Sequence, residues 1–338
     1  MSKCTLVALS VGLAATLAAG CSDESALGAG SLDQKEAEGL RCVEGTERTC
    51  DWALHPAIAV RDAPDVIYAV SDIHAGYDRV VALFLANGIL ADVPTGPDEA
   101  RWGAGNATLV VIGDMIDKWS ESVEVLDLVR ALEDDAPSHG GEVLTLLGNH
   151  EAEFLADPKN KKADASDGID AELDELGVKP RQFASTDDPH GAWLQALPFG
   201  ALVGSWFFCH SGDSQGLDVP ALEALLEQAL EHHGWGAKDI VGDSSILESR
   251  DWFGADSATA AGYVEALAAE HIAFGHDPGA LGPKGEIAVG PDAVLFRIDT
   301  GMSPGVKESK GYLLRVSRGA GGDTVEALDH DGRSAVLY

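Results

Sequence analysis

Positive charge is scarce in this sequence. Lys and Arg number 23 among 338 residues, against 56 Asp and Glu, for a formal net charge of -33. A field of that sign repels nucleic acid and anionic lipid surfaces, which argues against a nucleic-acid partner. It repels phosphate as well, so any phosphate chemistry here needs local cations to override it. Long hydrophobic runs are also missing: beyond the first twenty residues no segment has membrane-spanning length. No internal repeat is present, which excludes a solenoid.

What is present begins with "MSKCTLVALSVGLAATLAAGC": one early positive charge at Lys3, an apolar run, then Ala18-Ala19-Gly20 before Cys21. Residues 1–20 read as a secretory signal. The Cys after small residues resembles a bacterial lipobox, although Ala18 stands where Leu is more usual. That resemblance implies acylation of Cys21 and an exported protein, held on a bacterial membrane through its lipid alone and facing the periplasm or the cell surface. Residues 21–60 are small, polar and mostly acidic, and read as a flexible tether. Cys42 and Cys50 flank "CVEGTERTC" in a compartment that permits a disulfide between them. Cys209, inside "SWFFCH", reads as a buried thiol.

Hydrophobic residues make up 45% of the chain, enough for one large core or two small ones. From residue 61 onward, short apolar runs alternate with helical stretches. "DVIYAV", "TLVVIG", "EVLTLLG", "GSWFFCH", "HIAFGH" and "AVLFRIDT" are strand-like. "SVEVLDLVRALEDD" repeats Val123, Leu126, Val129 and Leu132 every three residues along one helical side. "LDVPALEALLEQALEHH" opens with Asp218 and Pro220, suited to a helix start. The pattern predicts a layered α/β domain over 61–338, with antiparallel strands late in the chain compatible with it. Residues 157–190 show little periodicity and read as a loop or cap insertion.

Five of these runs end alike. They release Asp72 and His74, Asp114 and Asp117, Asn149 and His150, His210, and His276 at their carboxyl ends, where open α/β sheets bind ligands. A lone His after a strand is usually a hydrogen-bonded cap, and Gly-Asp is a common turn pair. The ordered set is far less common than its parts. Two carboxylates, an amide oxygen and three imidazoles make a mixed N/O set suited to Zn, Fe or Mn. Six ligands exceed the needs of one tetrahedral ion, and two metals bridged by a carboxylate fit better. In "LGNHE", Asn149 then reads as a ligand, His150 as a general acid, and Gly148 as the turn permitting close approach.

Asp-x-His, Gly-Asp-x-x-Asp, Gly-Asn-His-Glu, His and Gly-His in this order resemble the calcineurin-like metallophosphoesterases, over about residues 65 to 315. "NGIL", "RWGAGNATLVVIGDMID", "WLQALP" and "IDTGMS" are similar to the bacterial-type phosphoprotein phosphatases, including the Shewanella-like branch. The resemblance implies a β-sandwich core flanked by helices and two divalent or trivalent metal ions. Asp72 and His74 would hold the first ion, Asn149, His210 and His276 the second, with Asp114 bridging. A metal-bridging hydroxide would attack phosphorus in line, and His150, oriented by Asp117, would protonate the leaving oxygen. The substrate class implied is a phosphoprotein or small phosphomonoester, most plausibly phosphoserine or phosphothreonine. Related branches act on nucleotides or diadenosine polyphosphates, and an inactive metal-stabilised binding module is the reading from another class. One departure stands out: Lys118-Trp119 replaces the family's Arg-Gly, and Lys lacks the planar two-point grip on phosphate. Arg250 in "ESRDWFG" is the candidate for a second family arginine.

Overall fold

The computed structural model describes residues 42–250 and 257–338. The signal, Cys21 and most of the expected tether lie outside the described residues. No helix among the described residues is long and apolar enough to cross a membrane.

Two six-stranded mixed sheets pack face to face. Strands β1 (Ile58–Arg61), β5 (Gly200–Val203), β6 (Trp206–Cys209), β7 (His271–Phe274), β9 (Leu295–Arg297) and β8 (Ala288–Val289) lie in that order in one sheet. The other runs β12 (Ser334–Val336), β11 (Thr324–Asp329), β10 (Tyr312–Ser317), β2 (Val66–Val70), β3 (Thr108–Ile112), β4 (Glu142–Leu146). β2, β3 and β4 pair in parallel, as do β6, β7 and β9, while the late strands β10 to β12 are antiparallel.

Period-2 alternation divides each strand between two cores. In β3, Val110 and Ile112 face the opposite sheet with Ala69, Phe208, Ala273 and Leu314. Leu109 and Val111 face outward, into a second core shared with the helices. That is why "TLVVI" has no polar side: both faces are covered. α1 (Tyr77–Ala86) and α2 (Ser122–Asp135) lie on this outer face, and α7 (Val219–His233) packs against β1 of the other sheet. α2 occupies the span its three-residue spacing predicts and buries Leu126, Val129 and Leu132, with Val123 only half-buried. α7 starts at Asp218, whose side chain accepts the Ala221 N–H at 2.9 Å.

Two expectations need correction. The tether does not extend to residue 60. Cys42 and Cys50 are bonded to each other, Arg48 Nε donates to the Ala192 carbonyl at 2.6 Å and Trp52 Nε1 to Glu231 at 2.7 Å. β1 then pairs in parallel with β5, burying Ala57, Ile58 and Ala59. Four residues with only half a buried face leave too weak a pattern to read as a strand. The 157–190 segment, read as a loop or cap insertion, is not the loop of the two alternatives. It forms α4 (Ile169–Leu176), α5 (Pro180–Phe183) and α6 (Pro189–Leu194), helices too short for periodicity to reveal.

A buried acid ties this segment to the sandwich. Glu133 on α2 accepts hydrogen bonds from Thr145 Oγ1 of β4 and from Trp193 Nε1 of α6, the latter at 2.7 Å. Burial pushes its carboxyl from the ordinary 4.5 up to about 7. The fold thus holds a proton that the unfolded chain releases across roughly pH 4.5 to 7. Stability from this group is full below that window and declines as pH rises through it. Glu133→Gln removes the charge, keeps an acceptor oxygen for Trp193 Nε1 and turns its NH₂ toward the Thr145 hydroxyl, which then accepts, so it should remove this decline and raise stability at pH 8 by on the order of 2 kcal/mol. Thermal midpoints of both proteins at pH 5.5 and 8 check this; an equal gap at both pH values would refute it.

Candidate metal centre and active site

The carboxyl ends of β2, β3, β4, β6 and β7 bring their polar residues to one place. Asp72, His74, Asp114, Asp117, Asn149, His150, His210 and His276 are all at most 5% exposed. Apolar strands deliver these groups because only a rigid, dry frame holds so many of them together. The backbone is bent to present them: Asp72, His74, Asp114, Asp117 and His276 all have φ between 45° and 68°. Non-glycine residues rarely adopt this left-handed region, and such clusters mark functional sites. Between the β3 and β4 ends, Gly113 and Gly148 face each other so closely that a Cβ on either would strike backbone.

Three of the imidazoles, His74, His210 and His276, are oriented by backbone carbonyls. His74 Nδ1 donates to Ile116 O at 2.9 Å and His210 Nδ1 to Ile112 O at 2.8 Å, which turns each Nε2 into the site. His276 is reversed: its Nε2 donates to Glu248 O at 3.1 Å, and Nδ1 lies 3.1 Å from Asn149 Oδ1. Fixing one ring nitrogen in this way is how a metal-binding His is usually prepared. Asn149 is oriented too. Its Nδ2 donates to Glu248 Oε1 at 2.8 Å, so Oδ1 points at His210 Nε2 3.0 Å away.

Asp114 stands between the groups. Its Oδ1 is 3.2 Å from His210 Nε2 and its Oδ2 3.4 Å from His74 Nε2. Burial pushes the Asp114 carboxyl up, but His210, His150 and His74 outweigh it and hold it well below the carboxylate range. Burial works to lower His210, and the Asp114 and Asp72 carboxylates raise it to about 10. His74 and His276 go the other way, burial holding both low and His276 at about 2. Asp72 sits 3.7 Å from His74 Nε2 and accepts the His276 N–H at 3.0 Å. Among the described residues, two clusters have ligand atoms close enough to share an ion: His74, Asp114 and His150, and Asp114, His210 and His276.

His150 Nδ1 is 2.7 Å from Asp117 Oδ2, and the other Asp117 oxygen accepts the Ile169 N–H of α4 at 2.8 Å. Beyond them opens a cleft of about 280 Å³ lined by Lys118, Lys162, Arg250 and Asp167 as well as His150 and Asn149. Lys118 Nζ reaches His74 Nε2 at 2.6 Å. Arg250 is exposed, 3.6 Å from Asp277 and 3.4 Å from the His276 carbonyl. Both residues expected to contact phosphate therefore line the cleft, without forming a paired clamp.

Three supporting residues have no role assigned from the sequence, although Glu151 stands in its Gly-Asn-His-Glu motif. Glu151 is fully buried and accepts the N–H groups of Asp114, Met115, Ile116 and Gly148 at 2.7 to 3.2 Å. It holds the β3 loop in shape, and its position three residues past Gly148 is a capping-box spacing that could have revealed it. Glu248 and Lys162 gave no local signal, since their partners are distant in sequence.

The calcineurin-like phosphoesterase family model matches residues 66–280, which contain every expected metal ligand. An uncharacterized protein of Schizosaccharomyces pombe is 40% identical over 88 residues, 26% of this chain and 25% of that protein. Shewanella-like protein phosphatase 2 of Arabidopsis thaliana is 28% identical over 90 residues, 27% of this chain and 22% of that protein. The matched region thus spans a quarter or less of these relatives' lengths. Among solved structures, a cold-active protein-tyrosine phosphatase of a psychrophilic Shewanella species superposes with TM-score 0.67 at 19% identity, covering 82% of each chain. That likeness extends the shared sandwich beyond the matched segment. With the family's pattern spanning most of the domain, the chain belongs to the calcineurin-like phosphoesterases.

Proposed function

We propose that the chain is a two-metal phosphomonoesterase acting on phosphorylated serine or threonine side chains. The observation that supports it most is Asp114, whose two oxygens face different imidazoles at 3.2 and 3.4 Å. A carboxylate shared between two histidine groups is what a bridging ligand requires. Asp72, His74 and Asp114 would hold one ion, and Asn149, His210, His276 and Asp114 the other. The donor set fits: buried imidazoles with one nitrogen already committed, an amide turned oxygen-first, and no thiolate, which suits Mn, Fe or Zn. When bound, such ions neutralise phosphoryl charge and make water acidic enough to act as nucleophile at neutral pH.

The protein's own groups do the rest. Asp117 accepts from His150 Nδ1, which leaves Nε2 to carry a proton toward the leaving oxygen. Lys118 and Arg250 give the cleft local positive charge inside a strongly negative protein.

The test is a substrate panel on metal-loaded protein: phosphoserine, phosphothreonine and phosphotyrosine peptides, p-nitrophenyl phosphate and diadenosine tetraphosphate. Highest kcat/KM is expected on the phosphoserine and phosphothreonine peptides. Preference for the dinucleotide would replace this reading, and turnover of none would reduce the protein to a binding module.

A further inference from the structure

The inserted segment contributes a cation that the metal and acid residues leave unexplained. Lys162 lines the cleft beside Asn149 and His150, on a turn pinned by Asn160, whose Oδ1 accepts the Lys162 N–H at 2.8 Å and the Ala163 N–H at 3.2 Å. The segment carrying it is fastened further on. Ile169 N–H binds Asp117, and Glu172 accepts the Ser122 and Val123 N–H groups at the start of α2 at 2.7 and 2.8 Å. Lys162 is therefore held over the site on a fixed roof.

Its ammonium group has three protons. Among the described residues it uses two, for Glu153 Oε2 at 2.8 Å and Glu248 Oε1 at 3.3 Å. Glu248 Oε1 is the same atom that accepts from Asn149 Nδ2, so the ammonium lies one residue away from the amide that faces His210. Burial works against its charge, but Glu153, Glu248 and Asp114 more than offset that and keep the amine protonated. The side chain is 37% exposed, so it is packed yet open to the cleft.

We propose that Lys162 is a further phosphate-binding residue, donating its third proton to a phosphoryl oxygen in the cleft. This rests on the phosphoesterase reading and deepens it. Lys118 offers one point of attachment where a guanidinium would offer two, and Lys162 supplies a second point from another segment. The rival role is purely structural: neutralising Glu153 and Glu248 so that Asn149 stays in place.

Equilibrium binding of inorganic phosphate to the metal-loaded protein separates the two roles. Lys162→Met should weaken the phosphate Kd by roughly tenfold or more, the worth of one charge-assisted hydrogen bond. Elemental analysis should find its metal content unchanged, and Lys162→Arg should restore most of the affinity. Should Lys162→Met fail to fold, Lys162→Gln takes its place with the same expectation. Wild-type phosphate affinity in the neutral variant would overturn the proposal, and so would loss of metal, which would assign Lys162 to holding Glu248. A wild-type protein that binds no phosphate and cleaves no phosphoester would refute the proposed function itself, a result distinct from either.

Discussion

Asp114→Asn is expected to lose at least one metal ion per chain and to reduce phosphoester hydrolysis by roughly 10³-fold or more. The substitution preserves shape and removes two things. One is the negative charge, against which His210 is raised to about 10 and without which two cations cannot sit close together. The other is symmetry: asparagine offers one acceptor oxygen where aspartate offers two. Since Oδ1 faces His210 and Oδ2 faces His74, an amide NH₂ must point at one of the two groups in either rotamer. Metal assistance supplies several kcal/mol of transition-state stabilisation, which sets the scale of the loss. Elemental analysis and turnover on p-nitrophenyl phosphate are the measurements. Two ions per chain with wild-type turnover would reject Asp114 as the bridge.

The centre was legible in the sequence for a reason that applies to few other sites. Strand ends are marked by an abrupt change from apolar to polar residues, and five such changes carried ligand-type side chains in one order. Residues 108–112 and 142–146 announce themselves because both faces are buried, and the groups after them follow from chain position alone. The supporting residues were hidden by the same logic. Glu248 lies 99 residues from Asn149, and nothing local distinguishes it from any other surface glutamate. Lys162 sits in a segment without periodicity, where a charged residue normally means solvent. Neither pairing exists until the sheets bring the strand ends together.

Backbone conformation was the other part beyond reach. Asp72, His74 and Asp114 adopt left-handed φ where a residue-by-residue reading expects extended chain leaving a strand. The cost of such conformers is on the order of 1 to 3 kcal/mol each. Here it is borne by buried anchors, chiefly the four N–H groups gathered on Glu151. Sequence places a ligand after a strand, and the fold decides which way it turns.

His150→Asn probes the assignment that geometry leaves most open to challenge. His150 Nε2 lies 3.8 Å from Asp114 Oδ2, only slightly farther than His74 Nε2 at 3.4 Å, so the ring could serve a metal or a proton. What separates the two imidazoles is the partner at Nδ1. His74 Nδ1 donates to a backbone carbonyl, which turns Nε2 toward a cation, whereas His150 Nδ1 is held by the Asp117 carboxylate at 2.7 Å, which aims its Nε2 into the cleft. A general acid contributes roughly 10²- to 10⁴-fold, so kcat on an alkyl phosphate should fall by about that factor with metal content unchanged. An aryl phosphate with a good leaving group needs the proton less and should lose less. Asp117→Asn should repeat the pattern more weakly, because it weakens the contact that orients the ring but leaves the ring in place. Loss of metal from His150→Asn would make His150 a ligand. Equal losses on both substrates would make it a positioning group, and the proton would then have to come from elsewhere in the cleft.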